Sequence, residues 1–185
     1  RKDRTVTVSG LGTITYDIGF GGAFYAYVSA AEAGVVMTPA GFRELIDKGM
    51  RIKEAVAEKE RLVHPFEDDL NFLYGTIFYG SPHSEKADSR NVCVFADGEV
   101  DRSPTGTGVS GRLALLHARK ELEIGDSFIV ESIIGTTFSG RIKEETTYGD
   151  YQAIIPEVEG TAYITGKHEF CFDPADPLRN GFILR

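Results

Sequence analysis

Cysteine and positive charge are what this chain has least of. Cys93 and Cys171 are the only cysteines in 185 residues. Two are too few for a disulfide framework, and both sit among apolar neighbours, so two buried thiols are expected. Lys and Arg number 20 against 28 Asp and Glu, a formal net charge of −8, which opposes a nucleic-acid or anionic-membrane partner. No apolar run reaches the ~20 residues that span a bilayer. No basic segment followed by an apolar stretch opens the chain, so no export signal is read and a reducing cytoplasm is expected. His64, His83, His117 and His168 are scattered without ligand spacing or a companion cysteine cluster, so no metal site is expected. Gly106-Thr107-Gly108 is not followed by Lys-Ser or Lys-Thr, and nothing points to a nucleotide, pyridoxal phosphate or any other cofactor. Repeats, low-complexity tracts and internal linkers are missing too. What remains, 42% hydrophobic and 26% charged residues, suits one soluble lobe able to bury a core.

Short strands dominate the pattern. Thr5 to Val28 reads as two or three of them, with a turn at Gly19 to Gly22. Thr38 as N-cap and Pro39 at the first helical position open a helix. Its apolar stripe is Phe42, Leu45, Ile46, Ile52 and Val56, and Lys53 to Arg61 is its solvated face. Leu62 to His64 and Leu70 to Tyr74 read as more strand, and Gly80 to Arg90 as a polar surface loop. Asn91 to Ala96 is a buried strand that delivers the chain to an Asp97-Gly98 turn. Asp126 to Ser132, Thr137 to Ile142, Tyr151 to Ile155 and Glu157 to Ile164 continue the series. The helix carrying Leu113 is apolar on several sides, so it is expected inside the sheet. The expected class is α+β, an antiparallel, barrel-like lobe wrapped around a central helix.

Chemistry concentrates in Asp101-Arg102-Ser103-Pro104-Thr105-Gly106-Thr107-Gly108. Pro104 fixes its own φ and pushes Ser103 out of the helical region. Gly106 and Gly108 permit unusual backbone and leave room for a ligand against the main chain. The apolar run after Gly108, with Leu113, Leu116 and Leu122 at helical spacing, reads as a helix. Its first turn therefore aims free N–H groups and a positive dipole end back at the glycines. Such an end suits a carboxylate or a phosphate. Asp101 adds a fixed negative charge nearby, and the pair of features matches a zwitterionic amino acid. A Gly-rich turn capped by Asp and Ser would look the same at this level.

The longer string resembles the second active-site motif of the proline racemase family, which includes proline racemases, 4-hydroxyproline 2-epimerases and trans-3-hydroxy-L-proline dehydratases. The resemblance covers nearly the whole chain. It takes in Asp17 to Ala26, His64-Pro65, Tyr74 to Phe78, Asp88 to Val92, Ile134 to Gly140, Gly160 to Gly166 and Asp176 to Leu178. It implies a lobe like that of diaminopimelate epimerase. Family members are about twice this length, and their first half carries a Met-Cys-Gly-His-Gly type segment with the base cysteine. Neither cysteine here is followed by Gly-His, so the resemblance implies that this chain is the second half. Residues 1–169 would form the second lobe, and 170–185 a tail that packs on the first.

The resemblance also assigns roles. Asp101 would pair with the substrate's ring ammonium, and Gly106 and Thr107 would hold its carboxylate through backbone N–H groups. That placement also stabilises a developing enediolate. Inverting Cα without a cofactor takes two groups of tunable pKa on opposite faces, and in the family's racemases and epimerases the residue after Ser-Pro is the second such cysteine. Here it is Thr105, whose hydroxyl is far too weak an acid to cycle at neutral pH. Elimination of water needs only one base, so the threonine version points to trans-3-hydroxy-L-proline dehydratase. Thr105 would then assist the departing hydroxyl or hold a water. A racemase or epimerase that tolerates threonine, and a lobe that binds an imino acid or a partner without turning it over, stay open beside it. A homodimer is the assembly to test.

Overall fold

The computed structural model describes residues 1–183. Nine strands form one sheet in the order β1 (Arg4–Val8), β2 (Gly12–Phe20), β3 (Phe24–Ser29), β4 (Leu73–Gly80), β5 (Ser89–Phe95), β7 (Ser127–Glu131), β8 (Thr137–Tyr148) and β9 (Tyr151–Glu159), with β6 (Glu99–Val100) paired to β5. The helices are the short α1 (Ala30–Ala33), α2 (Phe42–Lys59) and α3 (Gly106–Ala118). The class is α+β, as the strand pattern implied. The pairing departs from the expected antiparallel barrel at two places: β3 runs parallel to β4, and β5 parallel to β7. A parallel neighbour needs a crossover connection, and the crossovers are where α2 and α3 lie. The sheet is also open, with β1 and β9 at its ends.

The two faces of the sheet take one long helix each. Along β5 the side chains alternate: Val92 and Val94 pack into the cluster around α2, and Cys93 into the cluster beneath α3. In α2 the buried stripe is Leu45, Gly49, Ile52 and Val56. Phe42, expected in that stripe, is exposed. Gly49 takes its place facing the sheet because a Cβ there would lie 2.8 Å from Val94. The helix at Pro39 begins as a 3-10 turn over Pro39–Gly41 before α2 proper.

Helix α3 is buried almost all round, through Gly108, Val109, Gly111, Leu113, Leu115 and Leu116. It touches β2 and β3 on one flank and β8 and β9 on the other, so the sheet curls about it. This is the central helix that the apolar pattern foretold. It starts three residues earlier than the apolar run after Gly108 suggested, at Gly106, and Leu122 lies beyond its end. Truncating fully buried Leu113 to Ala removes contacts on both flanks and is expected to cost about 2–5 kcal/mol. Arg119, just past the helix, holds Asp17 of β2 through both carboxylate oxygens (2.7 and 2.8 Å).

Other expectations are corrected locally. Leu62 to His64 is irregular, and Asp68–Leu70 is a 3-10 turn rather than strand. Ser89 and Arg90 belong to β5, and Arg90 is buried against Glu131 (3.0 Å) rather than part of a surface loop. The two strands read around Pro156 are one, β9. It is an edge strand, where a residue without an N–H is tolerated, and the register shifts between Ile142 and Glu144 opposite it. Among the described residues regular structure stops at Glu159, and Tyr163, Ile164, Phe170 and Phe172 are all exposed. Cys93 is buried as expected, whereas Cys171 lies in that exposed segment. No helix among the described residues is long and apolar enough to cross a membrane.

Candidate active site

The chain leaves β5 at Phe95, turns through Asp97-Gly98 into β6, and reaches Asp101, whose N–H donates to the Cys93 carbonyl (3.0 Å). From there a network of short hydrogen bonds fixes the loop. Ser103 N–H donates to Asp101 Oδ1 (2.8 Å), and Thr105 N–H donates to Ser103 Oγ (3.1 Å). The Thr105 hydroxyl donates to Asp101 Oδ2 (2.9 Å). Ser103 is thus the turn residue that the sequence suggested. Thr105 is held at φ 68°, ψ 102°, a region that a β-branched side chain avoids. Arg102 is exposed and makes no ion pair among the described residues.

Thr105 is also the residue that precedes α3, and its side chain makes no capping hydrogen bond. The first bond of the helix runs from Val109 N–H to the Thr105 carbonyl (2.7 Å). Among the described residues this leaves the N–H groups of Gly106, Thr107 and Gly108 without an acceptor, at the positive end of a buried helix. A Cβ on Gly106 would meet nothing within 4 Å. Asp101, Thr105, Gly106 and Thr107 are therefore brought together: a carboxylate, a hydroxyl and an uncapped helix start beside open space.

Two features behind this constellation were not read from the sequence. Tyr25 and Tyr27 of β3 reach the first turn of α3. The Tyr27 hydroxyl donates to the Gly108 carbonyl (2.7 Å), and the Tyr25 hydroxyl lies 2.9 Å from Thr107 Oγ1. Burial pushes Tyr25 up to about 12 and Tyr27 well above its ordinary value, so both stay protonated. Gly21 and Gly22 complete the seat. A Cβ on Gly21 would lie 2.2 Å from the Thr107 carbonyl oxygen, so only glycine lets the β2–β3 turn press on the helix start. Two tyrosines at i and i+2 on a strand share one face, and that spacing was the available signal.

Cys93 sits under Thr105. Burial pushes its thiol up to about 12, and the nearby Asp101 charge adds to this while the Thr105 hydroxyl opposes it. A thiol in that state is neutral and is no base at neutral pH. Phe95 stands in a row of aromatic rings with Tyr74 (5.5 Å between centroids), which in turn meets Tyr25 (5.8 Å) and Phe72 (6.1 Å).

The histidines divide plainly. His117, at the edge of α3, bonds the Leu122 carbonyl (3.0 Å) and Glu145 (2.8 Å). His64 is buried; its Nδ1 accepts from Glu67 N–H (2.9 Å), which leaves Nε2 to donate to the Tyr148 hydroxyl (3.2 Å). His83 lies in the connection between β4 and β5, and Gly75 rather than Gly80 is the residue opposite Phe95. That places it about 17 Å along the strands from the site end, so it does not approach Asp101. No group of three or more His, Cys, Asp or Glu among the described residues is arranged to hold a metal. A groove of about 830 Å³ between β2 and β9, lined by Phe20, Ala114 and Ile154 among others, contains none of the four predicted site residues.

Known proteins match this chain over its full length. The sequence profile described as "Proline racemase" fits residues 1–183. A trans-3-hydroxy-L-proline dehydratase of Colwellia psychrerythraea is 45% identical over 184 residues, covering 100% of this chain and 52% of that protein. A proline racemase of Clostridioides difficile is 41% identical over 180 residues, covering 97% and 54%. A hydroxyproline epimerase from Agrobacterium vitis, solved with bound trans-4-hydroxy-L-proline, superposes with a TM-score of 0.88 at 34% identity, over 100% of this chain and 52% of that one. The chain thus spans about half the length of the relatives it matches. On a profile match along almost its entire length and relatives above 40% identity, the chain belongs to the proline racemase family.

Proposed function

We propose that this chain supplies the substrate-binding half of a cofactor-independent hydro-lyase that converts trans-3-hydroxy-L-proline to Δ1-pyrroline-2-carboxylate. The observation that carries it is Thr105, whose hydroxyl is too weak an acid to exchange a proton with Cα at neutral pH, at the position between Asp101 and the uncapped start of α3. Asp101 takes the ring ammonium. The N–H groups of Gly106 and Thr107 take the carboxylate and stabilise it as charge builds during proton removal from Cα. A base from outside residues 1–183 removes that proton. The electron pair forms the Cα–C3 double bond, the C3–O bond breaks, and the hydroxide leaves as water after taking up a proton. The enamine tautomerises to the imine. The Thr105 hydrogen is turned to Asp101, so toward the substrate it offers a lone pair that accepts from the 3-hydroxyl or a water.

The same reading leaves this chain alone inactive, because the Cys93 thiol is neutral and buried. The tail from residue 170, with Phe170, Phe172, Leu178 and Phe182 exposed, then packs on the other half of the full-length protein. A second reading, inversion at Cα of proline or 4-hydroxyproline, is favoured by the racemase and epimerase names of the relatives. The deciding experiment incubates full-length protein with trans-3-hydroxy-L-proline, proline and trans-4-hydroxy-L-proline. Pyrroline formation from the first substrate alone supports the dehydratase. Chiral chromatography that finds D-proline or the cis-4-hydroxy epimer at a comparable rate overturns it. Binding without any turnover leaves an imino-acid-binding protein.

A further inference from the structure

We infer that Tyr25 is a positioning residue which fixes the polarity of the Thr107 hydroxyl, so that this group donates to a ligand carboxylate at the start of α3. The inference rests on the reading of Asp101 to Thr107 as an imino-acid site. Tyr25 is 2% exposed and wedged between Tyr27 and Tyr74, while Thr107 is exposed. Their hydroxyls lie 2.9 Å apart. Each hydroxyl carries one hydrogen and accepts through its lone pairs, so two arrangements exist. When Tyr25 donates, the Thr107 hydrogen is released to point outward, beside the free N–H groups of the helix start. When Thr107 donates, it turns a lone pair toward that space.

A carboxylate offers only lone pairs, so it selects the first arrangement. Thr105 is set the opposite way. Its neighbour Asp101 is an acceptor at 2.9 Å, so its hydrogen is committed inward and its lone pair is left for an ammonium or hydroxyl hydrogen. Two threonines, two positions apart, thereby present opposite polarities to one small zwitterion. The residue behind each one decides which.

The test measures binding of trans-4-hydroxy-L-proline to the full-length protein by calorimetry, for wild type, Tyr25→Phe, Thr107→Val and the double variant. Tyr25→Phe keeps the ring and removes only the hydroxyl. We expect about three- to tenfold weaker binding for Tyr25→Phe, from the loss of one hydrogen bond in the chain. Thr107→Val should lose at least as much, and the double variant no more than Thr107→Val, because Tyr25 acts through Thr107. A Thr107→Ser background should keep the Tyr25→Phe effect. Unchanged binding in Tyr25→Phe, or losses that multiply in the double variant, overturns the inference. A readout without ligand is the Cζ resonance of labelled Tyr25, which should move in Thr107→Val and stay in place in Thr107→Ser. An unmoved signal in Thr107→Val sinks the Tyr25–Thr107 relay by itself. Wild-type protein that binds neither trans-4-hydroxy-L-proline nor trans-3-hydroxy-L-proline sinks the reading of the site instead, so the two failures are told apart.

Discussion

Gly106→Ala should make the protein more stable and less able to bind. Gly106 is the first residue of α3, has no left-handed φ, and an added Cβ meets no atom within 4 Å. Glycine at such a position costs stability relative to alanine, about 1 kcal/mol inside a helix, and less at its first turn. About 0.5 kcal/mol is the expected gain, most of it from a less disordered unfolded chain. In a full-length protein about twice this chain's length that raises Tm by about 0.5–1 °C. The ligand side runs the other way. A carboxylate oxygen must come within about 3 Å of the Gly106 and Thr107 N–H groups, and the methyl group occupies part of the same open space. Losing one charge-assisted bond costs about 1.5–3 kcal/mol, or roughly 10- to 100-fold in affinity. Thermal melting and calorimetry with trans-4-hydroxy-L-proline, on the full-length protein, read the two effects separately. A variant that melts higher and binds as tightly as wild type removes the carboxylate from Gly106 and refutes the placement.

Thr105→Val keeps the branched shape and deletes the donor to Asp101, so full-length protein should retain its fold while turnover falls by tenfold or more; equal turnover in wild type and variant rules out a role for the hydroxyl. Glu131 is 3% exposed, and although burial raises its pKa, the Arg90 guanidinium and the His83 N–H (2.7 Å) outweigh this and hold it below the ordinary 4.5. A carboxylate depressed in this way contributes stability that is complete above 4.5 and is lost as pH falls through the lower folded value. Glu131→Gln should therefore flatten the acid limb of the stability–pH curve and cost about 3–5 kcal/mol at neutral pH by leaving Arg90 buried without a counter-charge; an unchanged acid limb contradicts the pairing. In the 185-residue chain, a thiol reagent at pH 8 should modify exposed Cys171 quickly and Cys93 only on unfolding, and two fast thiols would show that the core around Cys93 is not formed.

What was legible in the sequence was what local chemistry controls. The central helix followed from Leu113 and Leu116, because burial almost all round leaves an apolar run with no continuous polar face. The loop and helix start from Asp101 to Gly108 followed from Pro104 and two glycines. The mixed pairing was not legible. Val28 pairs in register with Phe78 across a crossover of more than forty intervening residues, and no periodicity encodes which distant strand comes alongside. Cys171 misled because its neighbours Phe170 and Phe172 are apolar yet exposed, so an apolar neighbourhood in sequence was not one in space. Tyr25 and Tyr27 were read as plain strand, since a strand buried on both faces shows no alternation to single out the face that meets α3.

The backbone at Thr105 bears on why a hydroxyl stands there. A β-branched residue at φ 68° carries strain of about 1–3 kcal/mol, which glycine would relieve at once. The surrounding bonds instead hold threonine in place: Ser103 Oγ takes its N–H and Asp101 takes its hydroxyl. Holding a side chain in an unfavourable backbone region makes sense where its direction matters more than its ease of folding. The direction here aligns the hydroxyl with Asp101 and the following N–H groups with open space, from one residue. Relaxing the strain with Thr105→Gly would free both at once, which is why the loop tolerates the tension rather than the flexibility.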